Sequence, residues 1–367
     1  MKILYLTKRF YMSRDIVNDH YGRYYEIPKY LSIMGHDVSL FCLSYRNANE
    51  ITISSETNLT VKSWNLGINP IYGLIRHYSR LNQIVRDSRP DIIIAGSDCF
   101  QVIMGARLAK HNSIPVIADL YDNYESYKAS RIPLVLLIFY RRLLDVDFIT
   151  VISNKLKKLI ISRTISNKRI DVIENAVSEN FLGKNEKDMS REAFNFKSNE
   201  LYIGTAGSLS VDNGVKILID AFTELSIQNS KLNLVLAGRI DKNLNIPDNE
   251  NIHYVGDLPH KQIPIFLSAL DLGVICIKDN DFGRYCFPQK FYEMVACMLP
   301  LISTNVGEMS RLLNGNEQLL FKENNKDDLI RAINYQIKNK VILNNKVPTW
   351  KDQAGKLDNI IKTMITN

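Results

Sequence analysis

The chain alternates short, continuous runs of apolar residues with longer segments in which apolar residues recur every three or four positions. Continuous runs are typical of strands buried on both faces of a parallel sheet, and the longer segments are typical of helices. The predicted strands of the first half are Ile3–Thr7, Val38–Leu43, Asp91–Ala95, Ile114–Asp119, Phe148–Ile152 and Asp171–Glu174. Those of the second half are Leu201–Thr205, Leu232–Gly238, Ile252–Gly256, Leu272–Ile277, Leu301–Asn305 and Leu319–Phe321. The pattern predicts the α/β class, with two facing Rossmann-like domains and a cleft between them.

The length of 367 residues also suits two domains. We predict a first domain over residues 1–180 and a second over residues 181–349. The segment Gly183–Ser198 is polar with little apolar periodicity, so we interpret it as the connection between them. Trp350 begins a final segment with the spacing of an amphipathic helix.

Positive charge is concentrated in the first half. The net charge is +7, and residues 1–180 hold 24 Lys and Arg against 17 Asp and Glu, which gives the whole excess, while the remainder holds 22 of each. This distribution suits an anionic surface or acceptor, although it also serves solubility. Because the charge is diffuse and no basic-aromatic motif recurs, we expect no nucleic acid as a partner.

The composition also bears on where the protein is located in the cell and on whether it binds a metal. The longest uncharged apolar runs, Ile132–Tyr140 and Met294–Ile302, have nine residues each, whereas a spanning helix needs ~20. Residues Met1–Thr7 lack the features of a signal peptide, so we expect a cytoplasmic protein. The five cysteines show no metal-ligand spacing, and we expect no metal site.

The stretch from Asp281 to Glu308 carries the most specific pattern in the chain. A polar loop with Phe282, Gly283 and Arg284 precedes a predicted helix that starts near Pro288, a residue suited to a first helical turn. Lys290 and Glu293 lie three positions apart and therefore share one face of that helix. A helix N-terminus at the carboxyl rim of a parallel sheet favours phosphate. The alternative is an ordinary surface ion pair.

The Phe282–Gly283 pair followed by Pro288-x-Lys290-x-x-Glu293 resembles the donor-site signature of retaining glycosyltransferases of family 4, which have the two-domain GT-B fold. The resemblance implies that Glu293 binds the nucleotide ribose. A second glutamate, which binds the sugar in that family, is replaced here. The candidates for its role are Asn280, Asp281 and Tyr285, and the sequence does not choose among them.

The resemblance also assigns residues of the first domain. Gly22 and Arg23 would approach the donor phosphates and the acceptor, and Lys8 and Arg9 are candidates for binding an anionic acceptor. Asp119 or Asp122 would act in catalysis, by hydrogen-bonding sugar hydroxyls or by stabilising positive charge at the anomeric carbon. Asp122 is equally compatible with capping the segment that follows it.

In the second domain the resemblance places the donor diphosphate at the turn of Gly207 and Ser208. The arginine and lysine that grip the diphosphate in relatives are missing here, so a cation from elsewhere must replace them. The sequence offers Arg239, Arg284 and Lys290. The turn that contains Val255, Asp257 and Leu258 would contact the nucleobase.

The resemblance therefore implies a retaining glycosyltransferase that uses a nucleotide-diphosphate sugar as co-substrate, with no other cofactor and no metal. We expect a saccharide or lipid-linked acceptor, in assembly of a cell-surface polysaccharide. The basic first domain suggests peripheral contact with the inner face of the plasma membrane, and the segment Arg131–Asp145 is either an amphipathic membrane surface or a core helix. The final helix, residues 350–367, would pack back on the first domain.

Two alternatives stay open at this point. A nucleotide-sugar epimerase uses the same two-domain fold and would change the donor without an acceptor. A non-catalytic binding or scaffold protein with a decayed donor site is the other, because both phosphate-gripping cations of the family are absent from their usual positions.

Overall fold

A computed structural model describes residues 1–11, 14–54, 57–127, 130, 132–164, 168–183 and 185–366. The chain divides into two compact units. Unit 1 comprises Met1–Asn175, Tyr285–Phe287 and Trp350–Asn367, and unit 2 comprises Ala176–Arg284 and Pro288–Thr349. The division after Asn175 lies close to the predicted residue 180.

Unit 1 is built on an eight-stranded sheet. Its strands, together with a short hairpin of β2 and β3, are β1 (Lys2–Lys8), β2 (Phe10–Tyr11), β3 (Arg14–Asp15), β4 (Asp37–Ser44), β5 (Ile51–Ser54), β6 (Leu59–Asn65), β7 (Ile92–Gly96), β8 (Val116–Leu120), β9 (Phe148–Val151) and β10 (Arg169–Val172). Its helices are α1 (Ile16–Asp19), α2 (Arg23–Ile33), α3 (Pro70–Ser88), α4 (Cys99–Asn112), α5 (Val135–Leu143), α6 (Asn154–Thr164) and the final helix, α13 (Trp350–Thr366).

The order of the strands in the large sheet is β10-β9-β8-β7-β1-β4-β6-β5, and each pair is parallel except β5 with β6. The chain extends the sheet from β1 to β4 in one direction and later from β7 to β10 in the other. The direction therefore reverses between β1 and β7, and such a switch point is where open α/β sheets bind ligands. The core is aliphatic, with β1 and β7 almost fully buried.

Unit 2 has a six-stranded parallel sheet with the order β13-β12-β11-β14-β15-β16. The strands are β11 (Leu201–Ala206), β12 (Leu232–Ala237), β13 (Ile252–Tyr254), β14 (Leu272–Ile275), β15 (Leu301–Thr304) and β16 (Leu320–Phe321). The helices are α7 (Lys187–Glu192), α8 (Val215–Gln228), α9 (Ile263–Ala269), α10 (Gln289–Ala296), α11 (Met309–Leu312) and α12 (Lys326–Asn339). Here the switch point lies between β11 and β14.

The prediction that Gly183–Ser198 connects the two domains is wrong. This segment contains α7, which packs on α9 inside unit 2. The Arg191 side chain is buried and donates to the Asp271 carboxylate at 2.7 Å and to the Ser198 carbonyl at 2.8 Å. A buried, multiply bonded arginine at the centre of the segment fixes it to the domain. The surrounding polar sequence gives no sign of this.

Within the described residues, no helix has both the length and the hydrophobicity to cross a bilayer. The predicted helix start near Pro288 is confirmed, because Pro288 is the N-cap of α10.

Candidate active site

Two glycines form the turn at the carboxyl end of β11. Gly207 follows the strand with φ +119°, and its N–H donates to the Ala237 carbonyl at 2.9 Å. Gly238 follows β12 with φ +126°, and a Cβ atom on it would lie 1.8 Å from the Gly207 carbonyl oxygen. The two strand ends can approach this closely because Gly238 has no side chain. The exposed backbone of this turn lies beside the switch point of unit 2.

Lys290 brings a cation to the same turn. A Cβ atom added to Gly207 would lie 2.9 Å from Lys290 Cε and 3.2 Å from its Nζ. Burial lowers the pKa of Lys290, and the nearby Cys276 and Glu293 oppose this shift. Lys290 occupies the first turn of α10, so its ammonium group adds to the partial positive charge of a helix N-terminus.

The other two candidate cations are engaged with acidic neighbours. The Arg284 Nε donates to Asp279 Oδ1 at 2.6 Å, and Arg239 lies 3.4 Å from Asp257 Oδ2, with both pairs largely exposed. Of the three cations that the sequence offers, the structure therefore brings Lys290 to the Gly207 turn.

Glu293 lies one helical turn beyond Gln289 on α10 and is buried. Its Oε1 accepts a hydrogen bond from Gln289 Nε2 at 2.9 Å and lies 3.7 Å from His260 Nε2. The His260 ring contacts the Phe181 ring, with centroids 5.2 Å apart. Glu293 is therefore a buried acid with polar neighbours. The alternative interpretation, a surface ion pair with Lys290, does not describe it.

His260 was not predicted as a site residue from the sequence. It follows Pro259 at the end of the turn predicted to contact the nucleobase, and it lies 33 positions before Glu293 in the chain. Its place just after a strand-end turn is a signal that could have indicated it. In that turn Leu258 is buried, and Val255 N–H donates to the Leu236 carbonyl at 3.0 Å.

The three candidates for the role of the missing glutamate lie in or just after the loop before α10, and their surroundings differ. Asn280 Oδ1 accepts from the N–H groups of Phe282, at 3.1 Å, and Gly283, at 2.8 Å, so it shapes its own loop. Tyr285 belongs to unit 1, where its carbonyl accepts from Ser153 Oγ at 2.6 Å. Asp281 is exposed. Which of them meets a sugar stays a prediction.

In unit 1, Arg23 and Asp119 come together as a fully buried ion pair. Both side chains are 0% exposed, and Arg23 Nη2 lies 2.6 Å from Asp119 Oδ1. The carboxylate also accepts hydrogen bonds from Tyr5 and Thr150, at 2.9 and 2.6 Å. Arg23 further donates to the Ile173 carbonyl at 2.6 Å. These contacts favour a structural role for both residues over the predicted roles at the ligand.

Two other predicted residues of this unit also have structural contacts. Gly22 is the N-cap of α2 with φ +76°, and a Cβ atom there would lie 2.7 Å from the Tyr11 ring. Arg9 is buried and donates to the Asp15 carboxylate at 2.8 Å and to the Asn49 carbonyl at 2.6 Å. Their contacts with the donor phosphates and the acceptor stay predictions.

Asp122 belongs to a polar cluster at the switch point of unit 1. Its Oδ2 accepts from the Tyr127 hydroxyl at 2.9 Å, and Lys8 Nζ donates to the Tyr121 hydroxyl at 3.2 Å. The two tyrosine hydroxyls are hydrogen-bonded to each other. Lys8 ends β1, and its backbone N–H donates to Ser97 Oγ, just beyond β7, at 2.7 Å. The cluster therefore joins the two strand ends between which the sheet reverses direction.

Burial is the largest cause of the pKa shifts in this cluster. It raises the pKa of Asp122 to about 7, against the lowering effect of the hydrogen bonds from Tyr127 and the Asn123 N–H and of the Lys8 charge. Burial lowers the pKa of Lys8, against the charges of Asp98 and Asp122. Burial also raises the pKa of Asp98, whose Oδ1 caps α4 by accepting from the Gln101 N–H at 2.9 Å. Asp122 can therefore exchange a proton near neutral pH.

Among the described residues, no group of three or more His, Cys, Asp and Glu side chains is placed to hold a metal ion.

Solved structures with the same architecture define the class of fold. The sucrose-phosphate synthase of Thermosynechococcus elongatus is 14% identical with a TM-score of 0.79, over 100% of this chain and 99% of that one. Anabaena HepE in complex with UDP is 16% identical with a TM-score of 0.71, over 100% of this chain and 98% of that one. At such identities the likeness shows the fold, which is the GT-B arrangement of two parallel-sheet domains.

Family models identify both halves of the chain. The Glycosyltransferase Family 4 model matches residues 23–181, and the Glycosyl transferases group 1 model matches residues 186–354. The chain therefore belongs to the GT-B glycosyltransferases of the group 1 and family 4 type. The glycosyltransferase TuaH of Bacillus subtilis (strain 168), which its name assigns to teichuronic acid biosynthesis, is 21% identical over 45% of this chain and 42% of its own. The chain matches less than half the length of its curated relatives.

Proposed function

We propose that this protein transfers a sugar, with retention of the anomeric configuration, from a nucleotide-diphosphate sugar to a saccharide or lipid-linked acceptor. The observation that carries the proposal is the position of the Lys290 ammonium group at the Gly207 turn. A cation, exposed backbone at a glycine turn and a helix N-terminus together form a site suited to a diphosphate.

The leaving group explains why this site is needed. As the bond between the sugar and the diphosphate breaks, negative charge grows on the diphosphate. Lys290 and the N-terminus of α10 would stabilise that charge in place, because they are positioned before the reaction begins. The proposal includes transfer without a metal ion, which unchanged turnover in EDTA would support.

Glu293 supplies the second part of the donor site. A carboxylate on the same helix as Lys290 can accept hydrogen bonds from a ribose hydroxyl. Its partner Gln289 and its neighbour His260 hold it at the strand-end rim of unit 2. The turn of Val255, Asp257 and Leu258 and the loop of Asp281, Phe282, Gly283 and Arg284 complete the proposed donor-binding residues, with Tyr285 as a further candidate.

Asp122 is the residue of unit 1 that we propose to meet the sugar or the acceptor hydroxyl. Its carboxyl group lies at the switch point and accepts a hydrogen bond from Tyr127, whereas the Asp119 carboxylate is enclosed by Arg23, Tyr5 and Thr150.

We propose that the protein acts in the assembly of a cell-surface polysaccharide at the inner face of the plasma membrane. The name of TuaH, which assigns that protein to teichuronic acid biosynthesis, supports this setting. The complex of HepE with UDP supports a nucleotide donor.

A thermal-shift screen of nucleotide sugars tests the proposal. We expect one family of donors to raise the melting temperature, because a ligand at a hundredfold excess over its dissociation constant stabilises a fold by ~2.7 kcal/mol. That donor is then incubated with and without candidate acceptors, and NMR reads the anomeric configuration of the product. An epimerised donor without an acceptor would indicate the epimerase alternative, and no nucleotide binding would indicate the scaffold alternative.

A further inference from the structure

Two helices of unit 1 direct apolar side chains into solvent. On α3 and the residue pair before it, Ile71, Tyr72 and Ile75 are 74%, 64% and 62% exposed, and Ile68 is fully exposed. Ile71, Tyr72 and Ile75 follow the i, i+1, i+4 spacing of one face of the helix, and Ile68 lies two residues before its first residue. The opposite face of α3 is the buried one, through Gly73, His77, Leu81 and Val85. A helix with a packed inner face usually carries polar residues outside, so this outer stripe calls for a partner.

The second helix repeats the arrangement. Leu134 and Leu137 are each 66% exposed, Ile138 is 43% exposed, and all three share one face of α5 with Arg141. The opposite face is buried through Val135, Phe139 and Leu143. This outcome combines the two sequence interpretations of the segment, since one face is core and the other is an exposed apolar stripe. Arg131, the first residue of the predicted segment, lies outside the described residues.

Both stripes lie on the same side and at the same edge of unit 1. α3 and α5 each pack against α4, which lies between them. α3 follows β6 and α5 follows β8, so both helices begin at the carboxyl edge of the parallel sheet. The Lys8–Asp122 cluster lies at that edge as well. We name the seven residues of the two stripes the apolar rim: Ile68, Ile71, Tyr72, Ile75, Leu134, Leu137 and Ile138.

Exposed cations flank the apolar rim. Arg76 directly follows the α3 stripe, and Arg141 continues the α5 stripe. Lys155 and Lys158 are exposed near the start of α6, which packs against α5 and also begins at the carboxyl edge. These cations belong to residues 1–180, the half of the chain that holds the whole net charge of +7. Apolar side chains within a basic border match a bilayer surface that contains acidic lipids.

We propose that the apolar rim inserts into the headgroup region of an acidic bilayer and that the acceptor is carried by a lipid of the same bilayer. The second clause rests on the proposed glycosyltransferase function, and the first does not. Seated in this way, the carboxyl edge of unit 1 would lie beside the membrane surface, and a lipid-linked hydroxyl would reach Asp122 without leaving the interface. This commits the acceptor to the lipid-linked class among the two that the sequence leaves open.

Vesicle co-sedimentation of the full chain tests the membrane contact. We expect binding to vesicles of phosphatidylcholine mixed with phosphatidylglycerol and little binding to phosphatidylcholine alone, with the difference falling as salt rises. The double variants Ile71→Ser/Ile75→Ser and Leu137→Ser/Ile138→Ser should each bind about tenfold more weakly or worse, since they remove the inserted apolar surface. Arg76→Gln/Arg141→Gln should lose about tenfold on acidic vesicles.

The matched control is Ile227→Ser, which removes a side chain that is 83% exposed on α8 of unit 2. It should bind vesicles like the parent chain. Equal vesicle binding by the parent and the rim variants, or no binding by the parent, would overturn the proposal. A parent dimer in sedimentation velocity that the rim variants dissociate would also overturn it, because the rim would then contact a second copy.

The same variants separate this proposal from the function. The thermal shift by the donor should be unchanged in every rim variant, because the Gly207 turn belongs to unit 2. Transfer to a lipid-linked acceptor in vesicles should fall with vesicle binding, whereas transfer to a short soluble acceptor should not. Equal loss on both acceptors would contradict the lipid-linked assignment, and loss of the donor shift would point to misfolding of the variant.

Discussion

The carboxyl groups of Asp119 and Asp122 are three residues apart in sequence and have opposite surroundings. Asp119 is the last residue but one of β8, and its side chain lies inside the unit, where the Arg23 guanidinium neutralises it. Asp122 lies beyond the strand end, where burial raises its pKa to about 7 against the smaller effects of its hydrogen bonds and of the Lys8 charge. Two acids of one short motif therefore suit different tasks, the first in holding the sheet and the second in proton exchange.

Breaking the Arg23–Asp119 pair should destabilise the protein. Asp119→Asn leaves the guanidinium buried without a counter-charge, and the expected loss of unfolding free energy is about 3–5 kcal/mol. Urea unfolding followed by fluorescence measures it. Asp220→Asn is the control, since it breaks an exposed pair with Lys216 and should change stability by less than about 1 kcal/mol. A stable Asp119→Asn chain that is inactive would instead restore a catalytic role for Asp119.

The raised pKa of Asp122 predicts a dependence of stability on pH. The native state holds the Asp122 proton up to about pH 7, whereas the unfolded chain releases it near the ordinary value of 3.8. Stability therefore falls as pH rises between these values, by about 4 kcal/mol at most, and is constant above them. Asp122→Asn should be more stable than the parent at pH 8 and no more stable at pH 3.

If the ionised form of Asp122 serves in transfer, kcat/KM should rise with pH through an apparent pKa near 7, set by Asp122 together with its neighbours Lys8, Tyr121, Tyr127 and Asp98. Asp122→Asn should remove that rise. A variant profile that still titrates near neutral pH would exclude Asp122 as its source.

Replacing Lys290 should lower the affinity for the donor more than the stability of the fold. Lys290→Met keeps the length of the side chain and removes the charge, and donor affinity should fall about tenfold to a hundredfold, as expected for a lost charge-assisted hydrogen bond. Glu293→Ala should weaken donor binding and abolish turnover. Isothermal titration calorimetry checks both variants, with Lys216→Met on the exposed face of α8 as the matched control. Unchanged donor affinity in Lys290→Met would remove it from the site.

At the scale of residues, the sequence predicted relations between residues that are close in the chain and missed contacts between residues that are far apart in it. Lys290 and Glu293 could be assigned to one helix face because spacing of three residues fixes it. The choice of Lys290 over Arg239 and Arg284 could not be made, because it depends on which side chain reaches the Gly207 turn in space. The pairing of Arg23 with Asp119 joins residues 96 positions apart, and no local pattern reveals it.

At the scale of elements, turns position the site more than helices and strands do. The β11 and β12 strand ends approach through Gly207 and Gly238, and α10 then supplies Lys290 to the turn they form. The predicted strands over 201–205 and 232–238 correspond closely to β11 and β12, because apolar residues predominate in both. β5 was not predicted, since it is an edge strand whose residues are mostly exposed. β6 was missed because polar residues interrupt its apolar positions.

Gly238→Ala tests the turn. The added methyl group would meet the Gly207 carbonyl oxygen at 1.8 Å, so the turn must open, and both stability and donor affinity should fall. Gly315→Ala is a matched control, because Gly315 also has positive φ, +81°, but a Cβ atom there meets no atom within 4 Å. It should cost about 1–2 kcal/mol from backbone strain. The thermal shift by the donor separates the two, and equal donor affinity in both variants would contradict the role of the turn.

At the scale of the whole molecule, the final helix belongs to the first unit. α13 packs on α2, Trp350 is buried, and His36 Nε2 lies 2.9 Å from Asp358 Oδ1. The amphipathic spacing predicted this helix and its start at Trp350, and the structure confirms both. Its place in the fold came from the family resemblance, because periodicity does not say which surface a helix covers.

Trp350→Ala should loosen α13 from unit 1. Removing a buried aromatic side chain costs about 3–5 kcal/mol, and hydrogen exchange in α2 should accelerate while that in α8 of unit 2 stays unchanged. Ile365→Ser, near the exposed end of α13, is the control and should leave both rates unchanged. Faster exchange spread evenly over α2 and α8 would argue against a local role for Trp350.

The assignment of α13 to unit 1 also affects how the chain folds as it is made. The strands of unit 1 leave the ribosome first, yet the surface of α2 stays uncovered until residue 366 has emerged. Unit 2 has all of its own strands by residue 321 and can close earlier. During synthesis the domain that begins the chain would therefore be the last to be completed, and a holding chaperone would find its binding site on the uncovered face of α2.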